Sequence, residues 1–170
     1  FGNNKFVAVS SSSALVSSDN GSSWSSYNTN TTWSGFSIAY GNNTWVSGSN
    51  NGLVATSSDA ETWSEVVTGL SNSRLNDIIY ENNIWVVVGS SQSNNTTSGD
   101  MVSSTNLSIW SRNSTSPTRP NKTFWGVTYG NGVFVTVGCS TDCPDSWEAS
   151  VGEIYTSANG VNWTVRSSGT

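Results

Sequence analysis

Several residue types that commonly carry catalytic chemistry are scarce or absent. The 170-residue chain has no histidine, so it lacks the commonest general base and metal ligand. Only 10% of its residues are charged and the net charge is −5, which argues against nucleic acid or an acidic membrane surface as a partner. No apolar run is long enough to span a bilayer, so no membrane insertion is predicted for these residues. Long helical-period stretches are also absent, and we expect almost no helix.

The apolar residues that are present favour a β fold. The chain contains nine Trp, five Tyr and five Phe, and many of its other apolar residues are β-branched. Such side chains fit a pleated, half-buried sheet. With 34% hydrophobic residues, the chain can build one domain with a core, and no cofactor is predicted.

An aromatic residue followed by a Gly/Asn turn occurs four times, at Phe1, Tyr40, Tyr80 and Tyr129. The central Asn-Asn or Asn-Gly pair tolerates positive φ, which a tight hairpin requires. Each copy therefore predicts a hairpin. The predicted incoming strands are Phe36–Tyr40, Leu75–Tyr80 and Phe124–Tyr129, and the outgoing strands are Phe6–Val9, Trp45–Gly48, Trp85–Gly89 and Phe134–Gly138.

A Ser-x-Asn/Asp-x-x-x-Trp signature follows each hairpin and predicts a second one. In it the Asn or Asp caps its own turn, Gly supplies a left-handed residue, and Trp returns the next strand to the core. We expect distorted turns where Ala60 and Leu107 replace Gly. The strands before the turns are predicted at Ala14–Ser17, Leu53–Thr56, Met101–Ser103 and Ile154–Thr156. The turn residues are Ser18, Asn20, Trp24, Ser57, Asp59, Trp63, Ser104, Asn106, Trp110, Ser157, Asn159 and Trp163.

Four strands in each of about four repeats predict an all-β, propeller-like array of four-stranded antiparallel blades, either a single domain or a fragment. The repeats run over 1–39, 40–79, 80–128 and 129–170. The alternative is a β-sandwich with accidental self-similarity. The first repeat lacks its incoming strand, so its blade is expected to be incomplete. This phase predicts that the residues come from a longer chain or that a neighbouring copy completes the blade.

The Ser-x-Asp-Gly-x-x-Trp turn resembles the Asp-box, or bacterial neuraminidase repeat, in a form one residue shorter. The neighbouring hairpin is similar to tandem repeats of large secreted or surface proteins. The resemblance covers essentially the whole chain and implies a β-propeller without fixing an activity. Sialidases of the resembling family use three Arg with a Tyr–Glu pair and an Asp. Here none of the arginines lies in a recognisable catalytic motif, so no catalytic residues are predicted; they are Arg74, Arg112, Arg119 and Arg166.

Two groups of acids could suggest chemistry. Asp59, Glu61 and Glu65 surround one turn and could be an acid/base pair, but a solvated turn is the favoured interpretation. A second group could bind Ca²⁺ through oxygen, yet its spacing fits no defined loop, and a solvated loop is favoured over a metal site. Its members are Asp142, Asp145 and Glu148.

The two cysteines, Cys139 and Cys143, form a single close pair. A disulfide between them would close a short ring and indicate an oxidising compartment. The alternative is a metal or redox pair, although no other Cys or His is available to complete a metal site.

Asn-x-Ser/Thr triplets are abundant, and about seven would arise by chance in a chain this rich in Asn, Ser and Thr. Four of them fall in predicted loops. With the predicted disulfide, they indicate an extracellular or cell-surface glycoprotein. The candidate acceptors are Asn20, Asn30, Asn42, Asn94, Asn95, Asn106, Asn113, Asn121 and Asn162.

Insertions predict loops at Ser90–Gly99, Asn113–Lys122 and Cys139–Gly152, and loops on a rigid scaffold often bind ligands. Trp147 in the last insertion either stacks on a sugar or partner or anchors its loop. The preferred hypothesis is a non-catalytic extracellular repeat module with a structural or adhesive role, a section of a glycosylated surface protein or filament. Its partners would be proteins or glycans, including further copies of itself. The alternatives are a fragment of a sialidase-like glycosidase and a lectin-like propeller.

Overall fold

The computed structural model describes residues 1–29, 34–93, 96–113, 122–140 and 151–167. Across these residues there is no helix, and fifteen strands form four antiparallel sheets. Consequently, no described segment is a helix that could cross a membrane. The predicted all-β, propeller-like array is confirmed.

Each sheet is one blade, and its strands pair in chain order. The first blade has three strands, as the phase of the repeat predicted: β1 (Phe6–Ser10), β2 (Ser13–Ser17) and β3 (Ser25–Asn28). The second blade contains β4 (Ser37–Gly41), β5 (Thr44–Gly48), β6 (Leu53–Ser57) and β7 (Ser64–Val67). The third contains β8 (Ser73–Glu81), β9 (Ile84–Ser93), β10 (Thr96–Ser104) and β11 (Ser111–Arg112). The fourth contains β12 (Lys122–Gly130), β13 (Val133–Ser140), β14 (Val151–Ser157) and β15 (Thr164–Arg166).

The first hairpin of every blade has the backbone that its Asn-rich turn predicted. Both central residues have positive φ, as a type I′ turn requires. These φ values are 45° and 56° at Asn3 and Asn4, and 50° and 80° at Asn131 and Gly132. Phe1 occupies the aromatic position of the first turn, with its ring centroid 4.8 Å from that of Phe6. The equivalent pairs in the other blades lie at nearly the same separation, 4.7 Å for Tyr40–Trp45, 4.6 Å for Tyr80–Trp85 and 4.5 Å for Tyr129–Phe134.

The insertion at Ser90–Gly99 is not the simple loop that the sequence predicted. Strands β9 and β10 continue through it as an antiparallel ribbon, and their pairing extends to Thr96 opposite Ser93. Alternating Ser, Gln and Thr carry no hydrophobic period, so the strand signal was invisible in the sequence. The blades also begin before the aromatic residues that divide the sequence repeats, because each full blade starts with the whole incoming strand.

Successive blades pack face to face through residues that alternate along their strands. Trp45 joins Ala14 and Val16 of the first blade in one buried cluster. The adjacent Val46 instead joins Trp85 of the third blade in another. A third cluster unites the third and fourth blades through Val86, Val88, Met101, Phe134 and Tyr155. Full burial of each such large side chain contributes about 1.5–3 kcal/mol, so the packing between blades is a major source of stabilisation.

Glycines make notches that the next blade fills. A Cβ on Gly2 would come within 2.3 Å of the Tyr40 ring, and one on Gly41 within 2.1 Å of the Tyr80 ring. No side chain larger than hydrogen can occupy either position while the ring stays in place. Gly2 and Gly41 therefore set the spacing at the first two interfaces between blades, whereas Glu81 stands at the equivalent position of the third blade.

Candidate functional site

The second turn of each blade is a compact hydrogen-bonded unit. In the second blade, the Ala60 N–H donates to Ser57 Oγ at 2.8 Å, and the Glu61 and Thr62 N–H groups both donate to Asp59 Oδ1 at 2.8 Å. The third and fourth blades form equivalent bonds to Ser104 and Asn106 and to Ser157 and Asn159. The Ser and Asn/Asp of these three turns thus accept the N–H groups that a tight turn leaves without backbone partners.

The tryptophan that ends each turn is tied to it, and those of the second and fourth blades pack against the preceding blade. Trp63 Nε1 donates to the Ala60 carbonyl at 3.1 Å, and Trp163 Nε1 donates to the Gly160 carbonyl at 3.3 Å. Both indoles are buried between blades. Trp24 makes the same bond to the Gly21 carbonyl at 3.1 Å, yet it is 47% exposed.

In the first turn, the structure corrects the predicted pair of residues. Ser17 Oγ accepts from the Gly21 N–H at 2.9 Å, and Asp19 Oδ1 accepts from the Ser23 N–H at 2.9 Å. These residues, rather than Ser18 and Asn20, perform the roles of Ser57 and Asp59. The first turn has one residue more than the other three, and the tandem Ser-Ser and Asp-Asn pairs hid the shift.

The turns with Ala60 and Leu107 in place of Gly are not distorted, contrary to expectation. Their φ values are 68° and 64°, close to the 73° of Gly160 in the fourth blade. The hydrogen bonds that define the turn persist in both. Left-handed backbone at a non-glycine residue carries a cost, so the Ser and Asn/Asp bonds must hold these residues in place.

The two aspartates in these turns are strongly acidic. Hydrogen bonds from the Ser23 side chain and backbone, together with one from Ser17, lower the pKa of Asp19 to about 2. Bonds from the backbone of Thr62 and Glu61 lower the pKa of Asp59 to about 2. Such low values favour a permanently ionised cap and do not suit a general acid or base.

The acids around the second turn are placed for structure. Asp59 caps the turn, and Glu61 pairs with Lys5 of the first blade at 3.1 Å. The same Lys5 ammonium donates to the Asp59 carbonyl at 2.9 Å. Glu65 lies exposed on β7. The solvated turn predicted for these acids therefore does not describe Glu61, which helps to join two blades.

A polar junction that the sequence did not reveal links the third and fourth blades. Asn76 and Asp77 lie at a β-bulge in β8. Asn76 Nδ2 donates to the Phe124 carbonyl at 2.7 Å, and Asp77 Oδ2 accepts from the Val127 N–H at 2.9 Å. Burial raises the pKa of Asp77, and bonds from Val127 and Ile78 partly offset this effect. Both carboxylate oxygens of Asp77 accept hydrogen bonds from backbone N–H groups, one from its own blade and one from the fourth blade. Asp77 therefore holds the third and fourth blades together.

The described arginines do not converge. Arg74 lies on β8, the edge strand at which successive blades meet, and its guanidinium is 4.2 Å from the centroid of the Phe36 ring. Arg112 and Arg166 lie on β11 and β15, at the opposite edges of their sheets. Arg112 forms an ion pair with the buried Asp100, which also accepts from Ser73 Oγ at 2.7 Å. Arg119 lies outside the described residues.

The candidate glycosylation sites divide by exposure. Asn20, Asn42, Asn106 and Asn162 are exposed. Asn113 lies just after β11 and outside the strands, as predicted, but it is only 4% exposed and so does not offer the accessible acceptor that a loop position suggested. Asn113 Nδ2 donates to the Gly160 carbonyl of the fourth blade at 2.8 Å, and a glycan on that nitrogen would separate the two blades. The remaining acceptors lie outside the described residues: Asn30, Asn94, Asn95 and Asn121.

The predicted disulfide and the acidic insertion cannot be placed, because 141–150 lies outside the described residues. Cys139 is buried on β13 and its Sγ accepts from Trp125 Nε1 at 3.4 Å. The pairing with Cys143 stays a prediction, as do the roles of Trp147 and of Asp142, Asp145 and Glu148. Within the described ranges, no three His, Cys, Asp or Glu side chains are grouped as a metal site would require.

The comparisons with known proteins identify a fold. No family model and no curated protein matches the chain. Among solved structures it is similar to an ancestral GH74 enzyme, with a TM-score of 0.68 and 18% identity over 98% of this chain and 24% of that one. It also resembles YCF48 bound to D1 peptide, with a TM-score of 0.62 and 14% identity over 97% and 50%. A Trypanosoma rangeli sialidase matches with a TM-score of 0.62 and 11% identity over 96% and 33%.

These neighbours are β-propellers, and the chain spans half or less of the length of each of the three. At such low identities the likeness shows the fold alone. The likeness agrees with the stacked blades, but a shared fold does not transfer the activity of a neighbour to this chain.

Proposed function

We propose that the chain is a non-catalytic, extracellular β-propeller repeat module with a structural or adhesive role. The observation that carries this proposal is how the polar side chains of the described blades are used. Asp19 and Asp59 cap turns, Asp77 joins two blades, and Asp100 is paired with Arg112. Each contributes to the scaffold, and no pair of them is arranged as an acid and a base around a cleft.

The surface supports an extracellular location. Four Asn-x-Ser/Thr acceptors are exposed, and one of them, Asn20, is free of the turn hydrogen bonds, which Asp19 makes. The turn geometry of the first blade, Ser-x-Asp-x-Gly-x-x-Trp, also supports membership of the Asp-box repeats, with the later turns shortened by one residue. The proposed partners are proteins or glycans, including further copies of the chain.

The test is turnover by the purified chain. It is incubated with sialosides, which sample the sialidase neighbour, and with a panel of other oligosaccharides and polysaccharides, and released sugar is quantified. We expect no release above that of a heat-denatured control. Measurable hydrolysis by the chain would overturn the non-catalytic assignment.

Glycopeptide mass spectrometry of the protein from its native source should find sugar on at least one of the exposed acceptors and none on Asn113.

A fragment of a sialidase-like glycosidase is the second candidate, because two of the solved structures above are glycoside-processing enzymes. The separated positions of Arg74, Arg112 and Arg166 favour the module over this candidate.

A lectin-like propeller is the third candidate function, and the exposed Trp24 and Trp125 indoles favour it. A glycan array probed with the chain separates this third candidate from the other two.

A further inference from the structure

The sequence contains four Asn-Gly pairs, a dipeptide that is prone to spontaneous loss of the Asn side-chain amide, and the fold treats them differently. We propose that Asn131, at the tip of the first hairpin of the fourth blade, is a site of spontaneous modification at which water converts the carboxamide to a carboxylate. The folded structure protects the other three pairs. The four pairs are Asn20-Gly21, Asn51-Gly52, Asn131-Gly132 and Asn159-Gly160.

The reaction uses the backbone nitrogen that follows the asparagine. The Gly132 nitrogen loses its proton to solvent and attacks Cγ of Asn131, so that a C–N bond forms. The side-chain nitrogen then takes a proton from solvent and leaves as ammonia, which gives a cyclic succinimide. Water opens this ring: cleavage of the new C–N bond gives Asp, and cleavage of the original peptide bond gives isoaspartate. Glycine favours the attack because it has no Cβ to crowd its nitrogen or to restrict its backbone.

The tip at Asn131 leaves the reacting groups accessible. Its two flanking residues pair with each other across the hairpin. In the equivalent turn of the first blade, the flanking Gly2 and Lys5 exchange both backbone hydrogen bonds, so the tip itself makes none of the ladder bonds. Asn131 and Gly132 are both exposed, and no acceptor for the Gly132 N–H lies within the described part of the chain.

This exposure belongs to the hairpin and does not depend on the place of the blade in the array. The equivalent tips of the second and third blades, Asn42–Asn43 and Asn82–Asn83, are exposed as well, although both of these blades are packed on both sides. A blade packed against the fourth would therefore leave Asn131 accessible. At the other tips the second residue is Asn, whose side chain hinders the attack.

Asn51 and Gly52 form a turn of the same kind, but the next blade holds it. Their φ values are 58° and 70°. The Gly52 N–H donates to the Ser73 carbonyl of the third blade at 2.9 Å. The Gly52 carbonyl accepts from the backbone N–H and from Oγ1 of Thr68 at 3.0 and 2.7 Å. The attacking nitrogen is therefore buried and bonded, and its reaction would require the second and third blades to separate.

The pair in the last turn has both of its reacting groups held. Asn159 Oδ1 accepts from the Val161 and Asn162 N–H groups at 3.0 and 2.9 Å. The Gly160 N–H donates to Ser157 Oγ at 2.9 Å. Attack by this nitrogen would break the bonds that define the turn.

The pair in the first turn has one of its reacting groups held. The Gly21 N–H donates to Ser17 Oγ at 2.9 Å, whereas Asn20 is exposed. Each hydrogen bond that must break adds to the barrier for the attack. The structure therefore predicts that the rate falls from Asn131 through Asn20 to the two pairs that are fully held.

The modification would change the hairpin as well as its charge. Either product places a carboxylate at the tip, and isoaspartate also adds a methylene group to the backbone of the turn. Because turn length fixes the register of a hairpin, isoaspartate at Asn131 would disturb the pairing of β12 with β13. The fourth blade would thus carry a record of the age of the molecule.

Peptide mass spectrometry tests the proposal on the full, folded chain, made in a host that adds no N-glycans. The protein is incubated in mildly alkaline buffer, which favours loss of the glycine N–H proton, and the products at each Asn-Gly pair are quantified over time. Electron-transfer fragmentation distinguishes isoaspartate from Asp. We expect Asn131 to react about tenfold or more faster than Asn51 and Asn159. In concentrated urea, where the turn bonds are lost, the four rates should converge.

Two matched variants separate the effect of the hairpin tip from that of the rest of the chain. Gly132→Asn gives the fourth blade the Asn-Asn tip of the other blades, so it keeps the turn and should slow the reaction at Asn131 by about tenfold or more. Asn83→Gly creates an Asn-Gly pair at the exposed tip of the third blade and should make Asn82 react about as fast as Asn131. Circular dichroism establishes that both variants fold.

Equal rates at Asn131 and Asn159 in the folded chain overturn the proposal, since the turn bonds would then give no protection. The proposal is also wrong if Gly132→Asn leaves the rate at Asn131 unchanged, or if Asn82 stays unmodified in the Asn83→Gly variant. None of these results depends on the turnover test, so the modification site and the non-catalytic assignment stand or fail separately.

Discussion

At the scale of single residues, the turn aspartates show how one acceptor atom can specify a repeat. Asp59 Oδ1 accepts two backbone N–H groups at 2.8 Å, and Asn106 Oδ1 accepts the two equivalent groups at 3.0 Å. The amide and the carboxylate thus make the same turn. They differ in charge, because the carboxylate can be ionised and the amide cannot. Hydrogen bonds from backbone N–H groups are stronger to an ionised carboxylate than to a neutral acceptor.

This difference predicts a pH dependence of stability. The pKa of Asp59 is lowered to about 2 in the folded chain, below an unfolded value of about 3.9. Its contribution to the free energy of unfolding is therefore complete above about pH 4 and is lost as the pH falls towards about 2. Asp59→Asn keeps the hydrogen-bond acceptor and removes the titrating carboxyl group. Because the wild type loses the stabilisation by ionised Asp59 in acid, the urea-denaturation curves of the two proteins should converge as the pH is lowered from about 5.

The reciprocal variant is the control. Asn106→Asp places a carboxylate in the same geometry and should acquire a stabilisation above about pH 4 that disappears in acid. If the wild type and Asp59→Asn instead lose stability in parallel, other carboxylates dominate the acid response and the turn bonds do not favour the ionised form.

Residue-level sequence reasoning succeeded where one role had one candidate. Ser57, Asp59 and Trp63 were assigned correctly because Asp59 is not followed by a second Asn or Asp, so it fixes the register even though Ser58 adjoins Ser57. The first turn failed because Asn20 adjoins Asp19 and is as good a turn former, so the sequence allowed two registers. The burial of Asn113 could not be read from its polar neighbours, since it depends on the Gly160 carbonyl of another blade.

At the scale of elements, the hairpins were predictable and the contacts between blades were not. Paired Asn residues specify a type I′ turn locally, so β1, β5, β9 and β13 could be placed within a few residues. The bulge at Asn76 and Asp77 carries no local signal, because its partners lie in β12. The fit between a glycine and the next blade's tyrosine is likewise visible only once the blades are stacked.

That fit gives a prediction with an internal control. Gly41→Ala places a methyl group where the Tyr80 ring lies, so the second and third blades must move apart. We expect the free energy of unfolding to fall by about 1–3 kcal/mol, as for other overpacked cores. Gly130→Ala makes the same chemical change at the equivalent residue, where no atom lies within 4 Å.

Chemical denaturation at low protein concentration measures both variants without interference from association. Gly130→Ala should match the wild type to within about 0.5 kcal/mol, the ordinary range for a surface change. Equal destabilisation by the two substitutions would mean that the cost arises in the hairpin itself, and the proposed role of Gly41 in blade spacing would be wrong.

At the scale of the whole molecule, the chain is a short array whose blades depend on their neighbours. The three buried clusters each combine residues from two successive blades. The stability of such an array is close to a sum of blade terms and nearest-neighbour interface terms. The second and third blades each take part in two of these clusters, so each has a packed interface on both sides.

Hydrogen exchange should therefore be graded along the array. We expect the strongest protection in β9, where Val86, Val87 and Val88 are each 0% exposed, and weaker protection in β1 of the first blade, whose residues are exposed or half-buried. Trp63→Ala removes the indole that fills the first interface, at a cost of about 3–5 kcal/mol to that interface. Exchange in β1 and β2 should then accelerate while that of β9 and β13 is unchanged, as mass spectrometry of the exchanged peptides can measure. Equal acceleration in all four blades would show that the array unfolds as one cooperative unit, because opening of the first interface would then require opening of the rest.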